Sequence, residues 1–190
     1  MRYEDIPAAA ALERTVFSEP WTEDGFAAAL KQEKNLFFVA VPEGKTNQKN
    51  RGHEGVQDNL SKTDTDRIKE EPAGTIAGYC GMYTAADEGE ITNVAVAEAF
   101  RQQGVGAALV AAVKDGAREA GVRRIFLEVR ASNTAAQTLY LHAGFQFCGT
   151  RRNFYRNPTE NARLMCCDLC ETAAGSVSER TGDGGKDGDF

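Results

Sequence analysis

The chain has 190 residues, of which 42% are hydrophobic and 26% charged, a composition near the globular average that allows one ordinary domain with a real core and excludes wholesale disorder. Its 22 Lys and Arg against 28 Asp and Glu give a net charge of −6, which argues against a general nucleic-acid or anionic-membrane binder and leaves a basic protein or an amine as a compatible substrate. No stretch approaches the roughly 20 apolar residues that a membrane-spanning helix needs.

The first residues, Met1-Arg2-Tyr3-Glu4-Asp5, carry early acids and no apolar run before Pro7, unlike a secretory signal. A cytoplasmic location is therefore expected. The five cysteines, Cys80, Cys148, Cys166, Cys167 and Cys170, are odd in number and lack framework spacing, which fits a reducing compartment. Ala8–Phe17 and Thr22–Glu33 read as alanine-rich helices, with Thr22 as N-cap and Glu23 and Asp24 in the first turn. Phe17-Ser18-Glu19-Pro20-Trp21 forms the turn between them and holds the only tryptophan. Asn35–Val41 reads as a strand. Residues 42–73 are polar, with Val56, Leu60 and Ile68 almost their only large apolar side chains, so they read as a disordered insertion in a surface loop. Thr75–Tyr83 and Glu90–Ala97 read as strands.

A strong amphipathic helix follows, with Val105, Leu109, Ala112, Val113, Ala117 and Ala120 at three- and four-residue steps and Gly121 as its C′ residue. Arg124–Val129 is a strand, Asn133–Ala143 a helix ended by Gly144, and Phe145–Asn153 and Ala162–Leu169 two further strands. The glycine-rich tail 171–190 reads as disordered. The order predicts one mixed α/β domain over residues 1–170, without internal repeats.

The sharpest chemical signal is Arg101-Gln102-Gln103-Gly104-Val105-Gly106-Ala107, between a strand and the amphipathic helix. Closely spaced glycines allow unusual backbone angles and close approach. The first helical amides lack internal partners, and with the helix dipole they suit an anion such as a pyrophosphate. It is neither a Rossmann fingerprint nor a Walker loop, and by itself it equally fits a helix start that needs close packing.

Arg101-x-x-Gly104-x-Gly106 after Asn93-Val94-Ala95-Val96 resembles motif A of the Gcn5-related N-acetyltransferase (GNAT) superfamily. Leu127-Glu128-Val129-Arg130-Ala131-Ser132-Asn133 and Leu139-Tyr140-x-x-Ala143-Gly144-Phe145 resemble its second block. With Phe17-x-x-Pro20-Trp21 and Arg151-Arg152-Asn153-Phe154-Tyr155, the chain is most similar to the RimI-type subfamily, which acetylates the N-terminal alanine of ribosomal protein S18. It departs from that pattern in the insertion, the tail, a short first strand and Arg156-Asn157-Pro158, where the family has proline directly.

The resemblance implies a mixed, mostly antiparallel sheet flanked by helices, with a V-shaped splay between two central parallel strands. It implies acetyl-CoA as donor and no metal. Val94, Ala95 and Val96 would align the thioester arm; Gln102, Gln103, Gly104, Val105, Gly106 and Ala107 would hold the pyrophosphate, and Asn133 would bond the cofactor. Glu128 would be the base and Tyr140 the acid, with Glu90 as rival base or relay. Trp21, Arg152 and Tyr155 are candidates for the peptide groove.

Read structurally instead, Glu128 is a strand-end acid paired with Arg130 or another cation, Tyr140 and Trp21 are core aromatics, and His142 is a surface residue. Cys167-x-x-Cys170 lacks a second ligand pair, so no metal site is expected. An α-amino group loses its proton about 2.5 units below a lysine, roughly 3.4 kcal/mol more easily, so a carboxylate base suits a chain N-terminus. The expected partners are acetyl-CoA and a ribosomal-protein N-terminus, with no direct nucleic acid and no membrane, the protein being a monomer or weak oligomer. Two other readings stay open: acetylation of a lysine side chain or small amine, and a non-catalytic acyl-CoA-binding module.

Overall fold

The computed structural model describes residues 1–42 and 75–169. Apart from Pro42, the insertion expected at 42–73 lies outside the described residues, as do the tail expected at 171–190 and Cys170. In helix α1 (Ile6–Val16), proline stands in the first turn, where its missing N–H costs nothing. Helix α2 (Glu23–Leu30) starts on Thr22, whose hydroxyl accepts from the Gly25 amide at 3.1 Å. Small and aromatic side chains on their inner faces, including Ala9, Ala10, Phe26 and Ala29, are buried, so the pair lies flat on a sheet. The short first strand expected before α1 is a 3-10 turn at Tyr3–Asp5 instead; the Met1 ammonium donates to the Phe37 carbonyl at 2.7 Å.

Six strands follow: β1 (Leu36–Ala40), β2 (Gly78–Ala85), β3 (Glu88–Val96), β4 (Arg124–Arg130), β5 (Gln146–Tyr155) and β6 (Glu160–Asp168). Their spatial order is β1-β2-β3-β4-β6-β5. Every neighbouring pair is antiparallel except β3 and β4. The parallel pair requires a crossover, and helix α3 (Val105–Glu119) supplies it; helix α4 (Thr134–His142) joins β4 to β5. Gly121 and Gly144 end the two helices at φ of 78° and 87°, as expected of C′ glycines.

The splay has a local cause. β3 pairs with β4 only from Glu88↔Arg124 to Ile91↔Leu127. The β2–β3 register jumps between Met82↔Ile91 and Gly81↔Asn93, leaving Thr92 as an extra residue. A bulge bends and twists its strand, so β3 stays with β2 and parts from β4 beyond Leu127. Two cores lie on opposite faces. One, beneath α3 and α4, holds Val110, Val113, Ile125, Leu127 and Met165. The other, beneath α1 and α2, holds Ile6, Phe26, Phe37, Tyr79 and Ala95. On β4, Ile125, Leu127 and Val129 are buried while Phe126, Glu128 and Arg130 are only partly so, because they face the side where α1 and α2 cover β1–β3.

Candidate active site

Glu128 is the first β4 residue beyond the last β3–β4 pair. Its side chain is 10% exposed and its Oε1 lies 3.1 Å from Nη1 of Arg151, which is 57% exposed. Thus the cation it faces is Arg151 of β5, not Arg130, whose guanidinium is bound to Glu160. Glu90, on the neighbouring strand β3, faces the same carboxyl. Burial raises the Glu128 pKa above the usual carboxyl value, the charge of Glu90 and the hydrogen bond that protonated Glu128 donates to it add to that rise, and Arg151 opposes it. A carboxyl so held is a better match for a proton acceptor near neutral pH than an exposed one.

The rim is aromatic and cationic. Arg151 lies over the Phe154 ring at 5.5 Å and Arg130 over the Tyr155 ring at 4.2 Å. Arg130 is anchored on the Asn157 and Pro158 carbonyls at 3.1 and 3.2 Å. Burial raises the Tyr155 pKa; Arg130 opposes this, while Glu128 and Glu160 add to it. Tyr140, on α4, is buried with its ring edge-on to Phe145 at 5.8 Å. Burial, with smaller contributions from Cys80 and Tyr155, raises its pKa, so the phenol keeps its proton and can serve as a donor.

The glycine motif has two distinct roles. Gly104 is the N-cap of α3 at φ 82°, with no side-chain cap on the helix. The Ala108 amide closes the first helical bond to its carbonyl at 3.0 Å, which leaves the Val105, Gly106 and Ala107 amides without intrahelical partners. Gln103 turns back to the Ala99 carbonyl at 2.7 Å, and Arg101 to the Val96 carbonyl at 3.2 Å. Gly106, by contrast, serves packing: a Cβ there would stand 3.2 Å from Leu139 Cδ2 on α4. From Ala107 a groove of about 460 Å³ continues between α3 and α4, past Lys114, Arg118 and His142. On the other side of the amides, Val94, Ala95 and Val96 pair with β2 and have no β4 partner, so one edge of β3 stays open to an extended ligand. The open amides suit a pyrophosphate and the open edge an amide-bearing arm.

Asn133 is the N-cap of α4, its Oδ1 accepting from the Ala136 amide at 3.0 Å, which leaves its side-chain nitrogen for a ligand. Trp21 is partly exposed and packs on Phe26, Phe37 and Tyr83 at 5.3, 6.2 and 5.9 Å, so it is both core anchor and rim. Arg152 is exposed in the irregular stretch of β5 between Arg151 and Tyr155, where Asn153 has φ 52°. Sequence reading singled out Arg152 and passed over Arg151, which makes the contact. It also passed over Tyr83, paired with Glu90 across β2 and β3, and over Glu13. A signal for Glu13 was present: it falls at i+4 from Ala9 on the apolar stripe of α1. Among the described residues no group of three or more His, Cys, Asp or Glu is arranged to hold a metal ion.

Residues 6–145 match the acetyltransferase (GNAT) family. The ribosomal protein bS18-alanine N-acetyltransferase of Escherichia coli K12 is 31% identical over 159 residues, covering 84% of this chain and 85% of that protein. The protein of the same name in Salmonella typhimurium is 31% identical over 169 residues, covering 87% and 92%. The crystal structure of the ribosomal-protein-S18-alanine N-acetyltransferase from Escherichia coli superposes with a TM-score of 0.66 at 28% identity, over 93% of this chain and 94% of that one.

Proposed function

The chain belongs to the acetyltransferase (GNAT) family, an acyltransferase class with acetyl-CoA as donor, and on that premise we propose that it acetylates the α-amino group of a protein N-terminus, the N-terminal alanine of ribosomal protein S18. The observation that carries this reading is the Glu90–Glu128 carboxyl pair where β3 and β4 part, with the open β3 edge on one side and the Trp21 and Tyr155 rims on the other. The relatives named for that substrate support the choice of acceptor. A ribosomal acceptor puts the reaction in the cytoplasm.

The donor supplies an electrophilic acyl carbon and a thiolate leaving group. The chain's residues do the rest. The Val105, Gly106 and Ala107 amides hold the pyrophosphate, the Asn133 side-chain nitrogen bonds the donor, and the open edge at Val94–Val96 holds the arm. Glu128 accepts the proton of the attacking amine, with Glu90 beside it as relay. Tyr140 returns a proton to the departing sulfur. The new C–N bond forms as the C–S bond breaks, so proton and charge balance without an acyl-enzyme.

The test is thiol release from acetyl-CoA with a hexapeptide copying the S18 N-terminus, free or N-blocked, for wild type, Glu128→Gln and Tyr140→Phe. Turnover that needs the free α-amine, and falls by about 10² or more in each variant, is the expected result. Turnover of a blocked peptide carrying a lysine would move the acceptor to a side chain. Full activity in the variants would remove the assigned acid and base.

A further inference from the structure

Glu13 is fully buried on α1, and the proposed chemistry does not use it. Its Oε2 accepts from the Trp21 backbone amide at 2.8 Å. Its Oε1 accepts from the Asn93 side-chain nitrogen at 3.0 Å and from the Tyr79 hydroxyl. The three donors come from three different places: the α1–α2 turn, β3 and β2. Tyr79 is held protonated by burial and by this bond, its pKa raised. A buried carboxyl in an apolar layer is a costly choice where an aliphatic side chain would fill the space. What a carboxyl offers is direction, since each bond places its donor to within a few tenths of an ångström.

The places it fixes are the two walls of the site. Asn93 is the first β3 residue past the Thr92 bulge, immediately before Val94–Val96. Trp21 is the rim residue of the α1–α2 turn, its ring against Tyr83, which itself pairs with Glu90. We propose that Glu13 is a positioning residue that ties the acceptor-side turn to the donor strand, so that one buried side chain sets the distance between them. This rests on the N-terminal acetyltransferase reading for the identity of the acceptor, but not for the tether itself.

Glu13→Met fills the space and leaves the Trp21 amide without an acceptor. Glu13→Gln can keep its oxygen on that amide and turn its NH₂ toward Tyr79 and Asn93, both of which can rotate to accept. The expected result is a KM for the acceptor peptide at least tenfold higher in the Met variant, with KM for acetyl-CoA and kcat within about threefold, and recovery to within threefold in the Gln variant. Emission of Trp21, the only tryptophan, should shift to the red in the Met variant alone. If that variant does not fold, Glu13→Asp, one methylene shorter, should still raise the peptide KM severalfold. A folded Met variant with an unchanged peptide KM overturns the tether, as does an equal rise in both KM values or no rescue by Gln. If wild type does not use the peptide, the acceptor reading has failed. The tether is then judged by Trp21 emission beside calorimetric CoA affinity: a red shift at unchanged affinity supports it, and an unshifted spectrum overturns it.

Discussion

Glu128 stands under opposed influences, and each can be removed separately. Burial and Glu90 favour its neutral form, and Arg151 favours the charged form; Cys148 and Tyr155 of β5 also feel its charge. Since the base must be unprotonated, Arg151→Met should move the acid limb of the kcat–pH profile to higher pH, and Glu90→Gln should move it to lower pH. Equal profiles for both variants would show that Glu128 is not the titrating base. The sign for stability follows from the same shift. A carboxyl whose folded pKa is raised binds its proton more tightly folded than unfolded, so its contribution is present below the unfolded value, 4.5, and is lost as pH rises through the folded one. Glu128→Gln should therefore be inactive yet melt higher than wild type at neutral pH, with the gap closing toward pH 4.

At the scale of elements, the start of α3 separates two uses of glycine. Gly104 has space around it but a left-handed backbone; Gly104→Ala should cost about 1–2 kcal/mol and raise the acetyl-CoA KM by reorienting the open amides. At Gly106 the added methyl meets the end of a flexible leucine, so Gly106→Ala should leave the peptide KM unchanged and alter the donor KM less than Gly104→Ala does. Comparison of the two variants by thermal melt and donor titration checks both. The same elements show what sequence conveys. The apolar spacing of α3, the alternation in Arg124–Arg130, the Thr22 cap and the Gly121 and Gly144 stops are local signals, and they were legible to within a few residues. The exchange of β5 and β6 in the sheet order, the Thr92 bulge and the pairing of Arg151 with Glu128 are non-local. Two adjacent arginines on a strand cannot reveal which of them faces a carboxyl two strands away when an irregularity interrupts the alternation. Glu13 was hidden differently: it was passed over within an alanine-rich helix, and its chemistry emerges only when Tyr79 and Asn93 are brought to it.

For the molecule as a whole, the sheet is two halves joined over the short stretch from Glu88↔Arg124 to Ile91↔Leu127. A donor lying along the open β3 edge and the α3 amides adds contacts to the folded state alone. At a hundredfold excess over Kd that is worth about 2.7 kcal/mol, which for a domain of this size is a rise in Tm of about 5–10 °C. Acetyl-CoA should produce this rise in a thermal melt, and a pantetheine fragment lacking the pyrophosphate should produce much less. An equal rise with both would discount the α3 amides.

The sheet order β4-β6-β5 also has a consequence for how the molecule is made. The ribosome delivers β4, then β5, then β6, but among the described residues β5 has no neighbour except β6, and β6 must slot between the two strands already synthesised. While residues 160–168 are still in the exit tunnel, Glu128 exists without Arg151 across from it, and the apolar β4 face is open on one side. The Glu128 side of the sheet is therefore completed post-tunnel, by the last of the described strands. A ribosome-bound chain with β5 outside the tunnel and residues 160–168 still inside it should expose an unsealed sheet edge to chaperones and show no acetylation, and emergence of that strand should switch both properties together.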